Sequence, residues 1–285
     1  MLMPLSAILT IHTILLCQLT LADIGNETRI INGFDCDIEE VPYQVSLRRL
    51  RQERYRRGSG HFCGGSILSR RVIVTAAHCL KGERPRGVVV VIGNRYLNER
   101  SSTMKELRVS KWRSHYNYRR VKNDIALILT AGEMHPVHGA VAYLPINRGW
   151  ERPGTTCLVS GWGQTDKVTS RPSIKLRAAF VPIIRADTCY MLYNIPGTVC
   201  AGYTTTTGPS FGDSGGPLRC GNKLTGIVSV GRAAGGPSAY SSMRYHANWI
   251  NKQSNSLYNG ILSLRSFCIQ REVILAFIIY VTSSY

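Results

Sequence analysis

The stretch VIVTAAHC, residues 72–79, runs five β-prone residues into a histidine and a cysteine. Branched side chains lose rotamer freedom in a helix and pack well on a pleated surface, so VIVTA at 72–76 reads as a strand that delivers His78 and Cys79 at its end. Runs of the same kind recur at YQVSL 43–47, VVVVI 88–92, IALIL 125–129, CLVSG 157–161, FVPII 180–184 and GIVSV 226–230, separated by glycine-rich or charged turns. The middle of the chain holds no long stretch of apolar residues at helical spacing, and its 27 Gly and 12 Pro are scattered rather than clustered. This pattern predicts an all-β body, a barrel or a sandwich. Near the end Tyr245, Trp249 and Ile250 share one helical face, which predicts a closing helix over about 244–257.

At 285 residues with 44% hydrophobic content, the chain can form one large domain or two modest ones around a packed core. Residues 1–22 carry an uncharged apolar run from Leu5 to Leu16, followed by Thr20, Leu21 and Ala22, and read as a secretory signal peptide. A short membrane anchor is the alternative, but the run is too short to span a bilayer. DIGNETR at 23–29 reads as a removable peptide, with a glycosylation sequon at Asn26. The tail 258–285 ends in VILAFIIYV at 273–281, too short for a membrane span and expected as a disordered or trimmed extension. The expectation is a secreted, extracellular, monomeric protein without a stable membrane span.

Export permits disulfides. Eight cysteines remain beyond Cys17, none in a CxxC pair, so staples fit better than zinc ligands; sequence alone leaves 105 pairings open. The net charge of +18 is concentrated where Arg48, Arg49, Arg51, Arg54, Arg56 and Arg57 fall within ten residues. This reads as a basic surface loop, either merely solvated or a docking patch for an acidic polysaccharide, acidic protein or anionic surface. Nucleic acid is not expected, because export removes the protein from it and no nucleic-acid-binding motif is present.

Hydrolysing a peptide bond near neutral pH needs a nucleophile, a base, a group that orients the base, and donors for an oxyanion. TAAHC supplies His78, NDIALI places Asp124 at the head of a strand, and GDSGGP sets Ser214 in a glycine-flanked turn. Each motif is weak alone; the three in the order His, Asp, Ser form a strong set. GDSGG also satisfies the pattern of α/β-hydrolases, but those run Ser, Asp, His along the chain.

From about Ile30 to Leu257 the chain resembles the trypsin/chymotrypsin family of serine endopeptidases. The resemblance implies two six-stranded antiparallel β-barrels with a C-terminal helix, the N-terminal barrel over about 30–140 and the C-terminal barrel and helix over about 141–257. It implies Ser214 as nucleophile, His78 as general base and then acid, Asp124 as the residue orienting the imidazole, and the N–H groups of Gly212 and Ser214 as the oxyanion hole. RIING at 29–33 resembles the family's activation site, so cleavage after Arg29 would free the amino group of Ile30 to pair with Asp213. No cofactor is implied, and no metal, since Asn94 and Arg95 stand where the family's calcium ligands would begin.

The same resemblance implies the bridges Cys63–Cys79, Cys157–Cys220 and Cys189–Cys200. It leaves Cys36 with Cys268 or with no partner, because the usual partner position is Ala178. The bridge beside the specificity pocket is missing at both halves, Ser210 and Ala234. Gly208 stands at the pocket floor where trypsin-like members carry an aspartate. With Gly231 and Ser238 in the pocket and Phe211 and Val230 near the rim, an uncharged pocket for apolar or aromatic P1 side chains is expected, and Ser229 to Gly231 should pair with the substrate backbone. An enzyme of that specificity would need a separate trypsin-like protease to cut after Arg29. The competing expectation is a catalytically weak homologue that binds partners through the basic loop.

Overall fold

A computed structural model of the chain describes residues 33–164, 171–203, 207–231 and 236–258. A short strand, β1 (Phe34–Asp35), precedes β2 (Gln44–Arg49), helix α1 (Leu50–Tyr55), β3 (His61–Ile67), β4 (Val72–Thr75), β5 (Val88–Ile92), β6 (Lys105–Ser114) and β7 (Ala126–Thr130). Strands β2-β3-β4-β7-β6-β5 close into an antiparallel barrel. The second half contributes β8 (Thr156–Gly161), β9 (Arg177–Pro182), helix α2 (Ala186–Tyr193), β10 (Thr198–Ala201), β11 (Pro217–Cys220), β12 (Lys223–Val230) and β13 (Ser238–Ser242). Residues 243–258 form the closing helix, α3.

The second sheet runs β1-β9-β8-β11-β12-β13-β10. Its six later strands are drawn shut where the ends of β9 and β10 meet: Ile183 bridges Ala201, Ile184 N–H donates to the Cys200 carbonyl (3.0 Å), and Gly202 N–H to that of Pro182 (3.0 Å). The expected second barrel is thus present, closed by a single bridge rather than a full ladder. The seventh strand, β1, comes from ahead of the first barrel yet pairs with β9 of the second, Phe34 opposite Ala178. The N-terminal segment therefore straps across the two halves, and the division at about residue 140 does not hold for it.

The apolar runs at 72–76 and 125–129 lie side by side, because β4 pairs β7 with Thr75 opposite Ala126. Successive side chains of a strand point to opposite faces. Ile73, Ala126 and Ile128 accordingly fill the interior of the first barrel, while Val72, Val74, Ile125, Leu127 and Leu129 pack outward with Leu158, Trp162, Leu224, Ile227 and Met243. β4 and β7 are a wall buried on both sides, which is why they read as continuous hydrophobic runs rather than alternating ones. Full burial of such side chains stabilises by about 1.5–3 kcal/mol each, so the second half is held to the first through this wall.

Helix α3 caps the shared core with Met243, Ala247, Ile250 and Leu257. Tyr245, expected on that face, is exposed; it sits at the edge of the stripe and meets the His246 ring edge-to-face (4.9 Å). The helix also reaches the first barrel, where Arg113 donates to Gln253 (3.0 Å) and the His115 ring lies 5.0 Å from Trp249. The bridges Cys63–Cys79, Cys157–Cys220 and Cys189–Cys200 are formed. Cys36 is a buried thiol without a disulfide; Cys268, the partner considered for it, lies outside the described residues.

The arginine run at 48–57 is not the uniform surface loop that composition implies. Arg48 is 1% exposed, Arg49 ends β2, and the next six residues wind into α1. A register shift between Leu47 and Arg48 re-aims the strand there, turning Arg48 inward.

Candidate active site

The wall of β4 and β7 sets the site. The chain leaves β4 into a 3-10 turn, Ala77–Leu80, that carries His78 and is clamped to β3 by Cys63–Cys79. It enters β7 just after Asp124, and since the end of β4 abuts the start of β7, the two side chains meet: His78 Nδ1 lies 2.7 Å from Asp124 Oδ2. Asp124 is 1% exposed, and every group on its carboxylate is a donor. The His78 backbone N–H donates to Oδ1 (2.9 Å), and the Ser229 hydroxyl joins His78 on Oδ2 (2.6 Å). These approaches make His78 Nδ1 a donor to the carboxylate and leave Nε2 as the nitrogen that faces away from Asp124. From β13, Ser241 donates to the Asp124 carbonyl (2.7 Å), fixing the backbone as well.

Ser214 lies in the turn before β11. Its carbonyl accepts from Gly64 N–H (2.8 Å) on β3, where a Cβ on Gly64 would stand 2.9 Å from Gly216 Cα. Only a glycine lets the backbones of the two halves approach this closely, and the approach seats the Ser214 turn against Cys79 and Ala76, beside His78. No hydrogen bond joins His78 Nε2 to Ser214 Oγ among the described residues; the imidazole is about a third exposed, and Nε2 lies 3.8 Å from Cys79 Sγ.

Gly212 has φ +101°, a conformation that L side chains rarely adopt. Its N–H and that of Ser214 donate to no group among the described residues. Between them, the Gly212–Asp213 peptide is held on both edges: the carbonyl lies 3.2 Å from His61 Nε2, and Asp213 N–H donates to the Ser210 carbonyl (3.0 Å). Two unpaired donors flanking a fixed peptide plane can stabilise an anion formed in front of them.

Asp213 is fully buried, its carboxylate accepting from Gly163 N–H (2.7 Å) and Ser210 N–H (2.9 Å). Burial pushes its pKa up to about 6, and no cation pairs with it among the described residues. Arg29 and Ile30 lie outside them.

The expected pocket residues come together. A Cβ placed on Gly208 would lie 3.9 Å from Ser238 Oγ, and one on Gly231 3.8 Å from the same atom. Phe211 is exposed, and Val230 pairs with Ala239 and packs against the Cys189–Cys200 bridge. Ala234 falls outside the described residues. Ser229, expected only as a backbone partner for substrate, also gives its hydroxyl to Asp124. Sequence reading missed that role, along with those of Ser241 and His61, because none carries a local motif; only contacts across 105 to 151 residues reveal them.

Cys63, His78 and Cys79 place their ligand atoms within 4.8 Å of one another, but both sulfurs are spent in a disulfide and are not metal ligands. Asn94, in the loop considered for calcium, donates to the Tyr96 and Glu99 carbonyls and accepts from Ser101 N–H (3.2 Å). Its loop is thus closed by its own amide.

The trypsin family profile matches residues 30–250. Among known proteins, trypsin 5G1 of Aedes aegypti is 36% identical over 244 residues, covering 79% of this chain and 85% of the relative. Trypsin epsilon of Drosophila erecta is 31% identical over 239 residues, 80% and 89% respectively. Trypsin of Sus scrofa is 30% identical over 236 residues, covering 80% of this chain and 96% of its own.

Proposed function

The chain belongs to the trypsin family and is a serine endopeptidase, and from that premise we propose that His78, Asp124 and Ser214 perform the hydrolysis. Ser214 Oγ attacks the scissile carbonyl while His78 Nε2 takes its proton, and the N–H groups of Gly212 and Ser214 stabilise the oxyanion. The imidazolium then protonates the leaving amine, and water hydrolyses the acyl-enzyme by the same steps. The observation that carries the reading is the Asp124 carboxylate, which accepts from three donors, His78 Nδ1 among them, so that the imidazole is held with Nε2 turned away from Asp124. Its test is a serine-directed phosphonate probe applied after cleavage at Arg29. Stoichiometric labelling that maps to Ser214 is expected; a folded, cleaved protein that takes up no label refutes it.

Gly208, Gly231 and Ser238 offer no charge to a P1 side chain, which supports apolar or aromatic P1 residues, with Phe211 and Val230 at the rim and Ser229 to Gly231 pairing with the substrate backbone. Activation follows cleavage after Arg29, when the Ile30 amino group pairs with Asp213, a buried carboxylate in need of a cation. Because the pocket is uncharged, a separate trypsin-like protease makes the cut. Purified precursor with Ser214 intact is expected to stay uncut over the time in which added trypsin converts it fully, as read by N-terminal sequencing; equally fast self-conversion would show a basic-specific pocket. The three disulfides and the apolar leader at 1–22, which lies outside the described residues with the peptide 23–29, support export to the extracellular space. No helix among the described residues is long and apolar enough to cross a membrane.

A second reading rests on the basic face. Glu53, Glu83 and Glu106 are each spent on Arg48, Arg49 and Arg57, while Arg51, Arg54 and Arg56 add charge beside them. An acidic polysaccharide or acidic protein would dock there, either beside proteolysis or, in a catalytically weak homologue, in its place. Probe labelling separates those two cases.

A further inference from the structure

Six arginines crowd residues 48–57, but one of them is unlike the rest. Arg48 is almost fully buried, as is the Glu53 side chain that it meets at 2.7 Å. Taking such a pair out of water is unfavourable unless the remaining hydrogen-bonding groups are satisfied. Several are used here: Arg48 Nη1 also donates to the Leu97 carbonyl (3.1 Å), the second Glu53 oxygen accepts from Gly58 N–H (2.9 Å), and Arg48 Nε donates to the Ser46 hydroxyl (2.9 Å). The last bond points away from the basic loop, toward the active site.

Ser46 Oγ lies 2.9 Å from His61 Nδ1, and His61 Nε2 lies 3.2 Å from the Gly212 carbonyl. The directions of these bonds are forced. A carbonyl only accepts, so Nε2 must carry a proton. Burial, reinforced by the Arg48 charge, pushes His61 down to about 3, so the ring is neutral and Nδ1 is bare. Nδ1 must then accept, the Ser46 hydroxyl must donate to it, and the Ser46 oxygen is left to accept from Arg48, which it does. Strand pairing builds this line: Arg48 and Ser46 are two apart on β2, and Arg48 stands opposite His61 on β3.

We propose that Arg48 is a positioning residue for the oxyanion turn, acting through Ser46 and His61 on the Gly212 carbonyl. This rests on the reading of Gly212 and Ser214 N–H as the oxyanion donors, and it goes beyond that reading by assigning their aim to the buried root of the basic loop. The Gly212–Asp213 peptide is planar, and its two edges are gripped by His61 and by the Ser210 carbonyl. The two oxyanion donors lie on either side of this plane, so their directions follow it. Without Arg48 the Ser46 hydroxyl loses the donor that sets its rotamer, His61 is free to change tautomer, and one of the two grips is released.

The test uses cleaved enzyme in a Glu53→Gln background, so that no buried carboxylate is left unpaired, with active sites titrated by the phosphonate probe. Adding Arg48→Met is expected to lower kcat roughly ten- to a hundredfold, short of the loss on removing a whole donor, with KM within about twofold. Affinity for a peptide aldehyde, which forms an oxyanion, should fall by the same factor as kcat. Ser46→Ala should do the same, and the two losses should not multiply, because both break one line. A residue that only supports the fold would lower the melting temperature and leave kcat per titrated site unchanged, and that result, or multiplying losses, overturns the proposal. Nitrogen NMR of His61 stands apart from activity. A slowly exchanging Nε2–H that is lost in Arg48→Met is expected, and an Nδ1–H tautomer in the unsubstituted protein refutes the line even if the protein proves to lack protease activity.

Discussion

Ser214→Ala in the cleaved enzyme is expected to lower kcat by about a million-fold, with His78→Ala costing about as much and the double variant no more than either alone. The two side chains act as one unit: without the hydroxyl there is no proton for Nε2 to take, and without Nε2 the hydroxyl is a poor nucleophile. KM should change little, since neither group grips the ground state. Asp124→Asn is expected to lose about 10⁴-fold, for a reason visible around the carboxylate. His78 N–H, His78 Nδ1 and Ser229 Oγ all approach as donors, so an amide nitrogen in place of one oxygen must face a donor, and the simplest relief is for the imidazole to move its proton to Nε2. Rates measured against total folded protein, with single-turnover acylation, check all three. A Ser214→Ala rate within a hundredfold of the parent, or losses that multiply, would place the nucleophile elsewhere.

The parts of this site that were legible in the sequence are those where one side chain's chemistry coincides with a local pattern. His78 follows a run buried on both faces and Asp124 precedes another, so the strands that support the site were readable. β3 was not read as a strand because Gly64 and Gly65 interrupt it, although Gly64 is what allows the backbones of the two halves to meet. β6 was missed because its alternate residues are charged and solvent-facing, and β13, with its sequence SAYSS, because three of its five residues are serines that give no apolar pattern, although Tyr240 between them is fully buried. The inward turn of Arg48 was invisible for a different reason. Composition counts it with its exposed neighbours, and only the irregular pairing between β2 and β3 separates it from them.

The pH dependence of stability is expected to move to a different window at the moment of activation, and to be reversed there, because of Asp213. In the precursor its carboxyl is fully buried and its pKa stands near 6 against an ordinary 3.8, so between about pH 4 and 6 the folded chain holds more protons than the unfolded one. Stability must therefore fall as pH rises through that window, by up to about 3 kcal/mol for a shift of this size. Once Arg29 is cut, an ammonium at Ile30 that pairs with Asp213 favours the charged carboxyl and drops its pKa below the ordinary value. Stability then rises with pH only between that lowered pKa and the ordinary carboxylate value, below about pH 4, and Asp213 contributes no slope between about pH 4 and 7. Urea midpoints from pH 2 to 7 on precursor and cleaved chain, both in a Ser214→Ala background to prevent self-digestion, should show a fall between about pH 4 and 6 in the precursor only and a rise below about pH 4 in the cleaved chain, and Asp213→Asn should flatten both. The same substitution in otherwise intact cleaved enzyme should remove 10²-fold or more of kcat, comparable with losing an oxyanion donor, because an amide carries no charge to pair with the ammonium and the turn that bears Gly212 loses that ion pair. Identical slopes before and after cleavage would mean that Asp213 never exchanges its proton for the new amine, and activation would then need another cause.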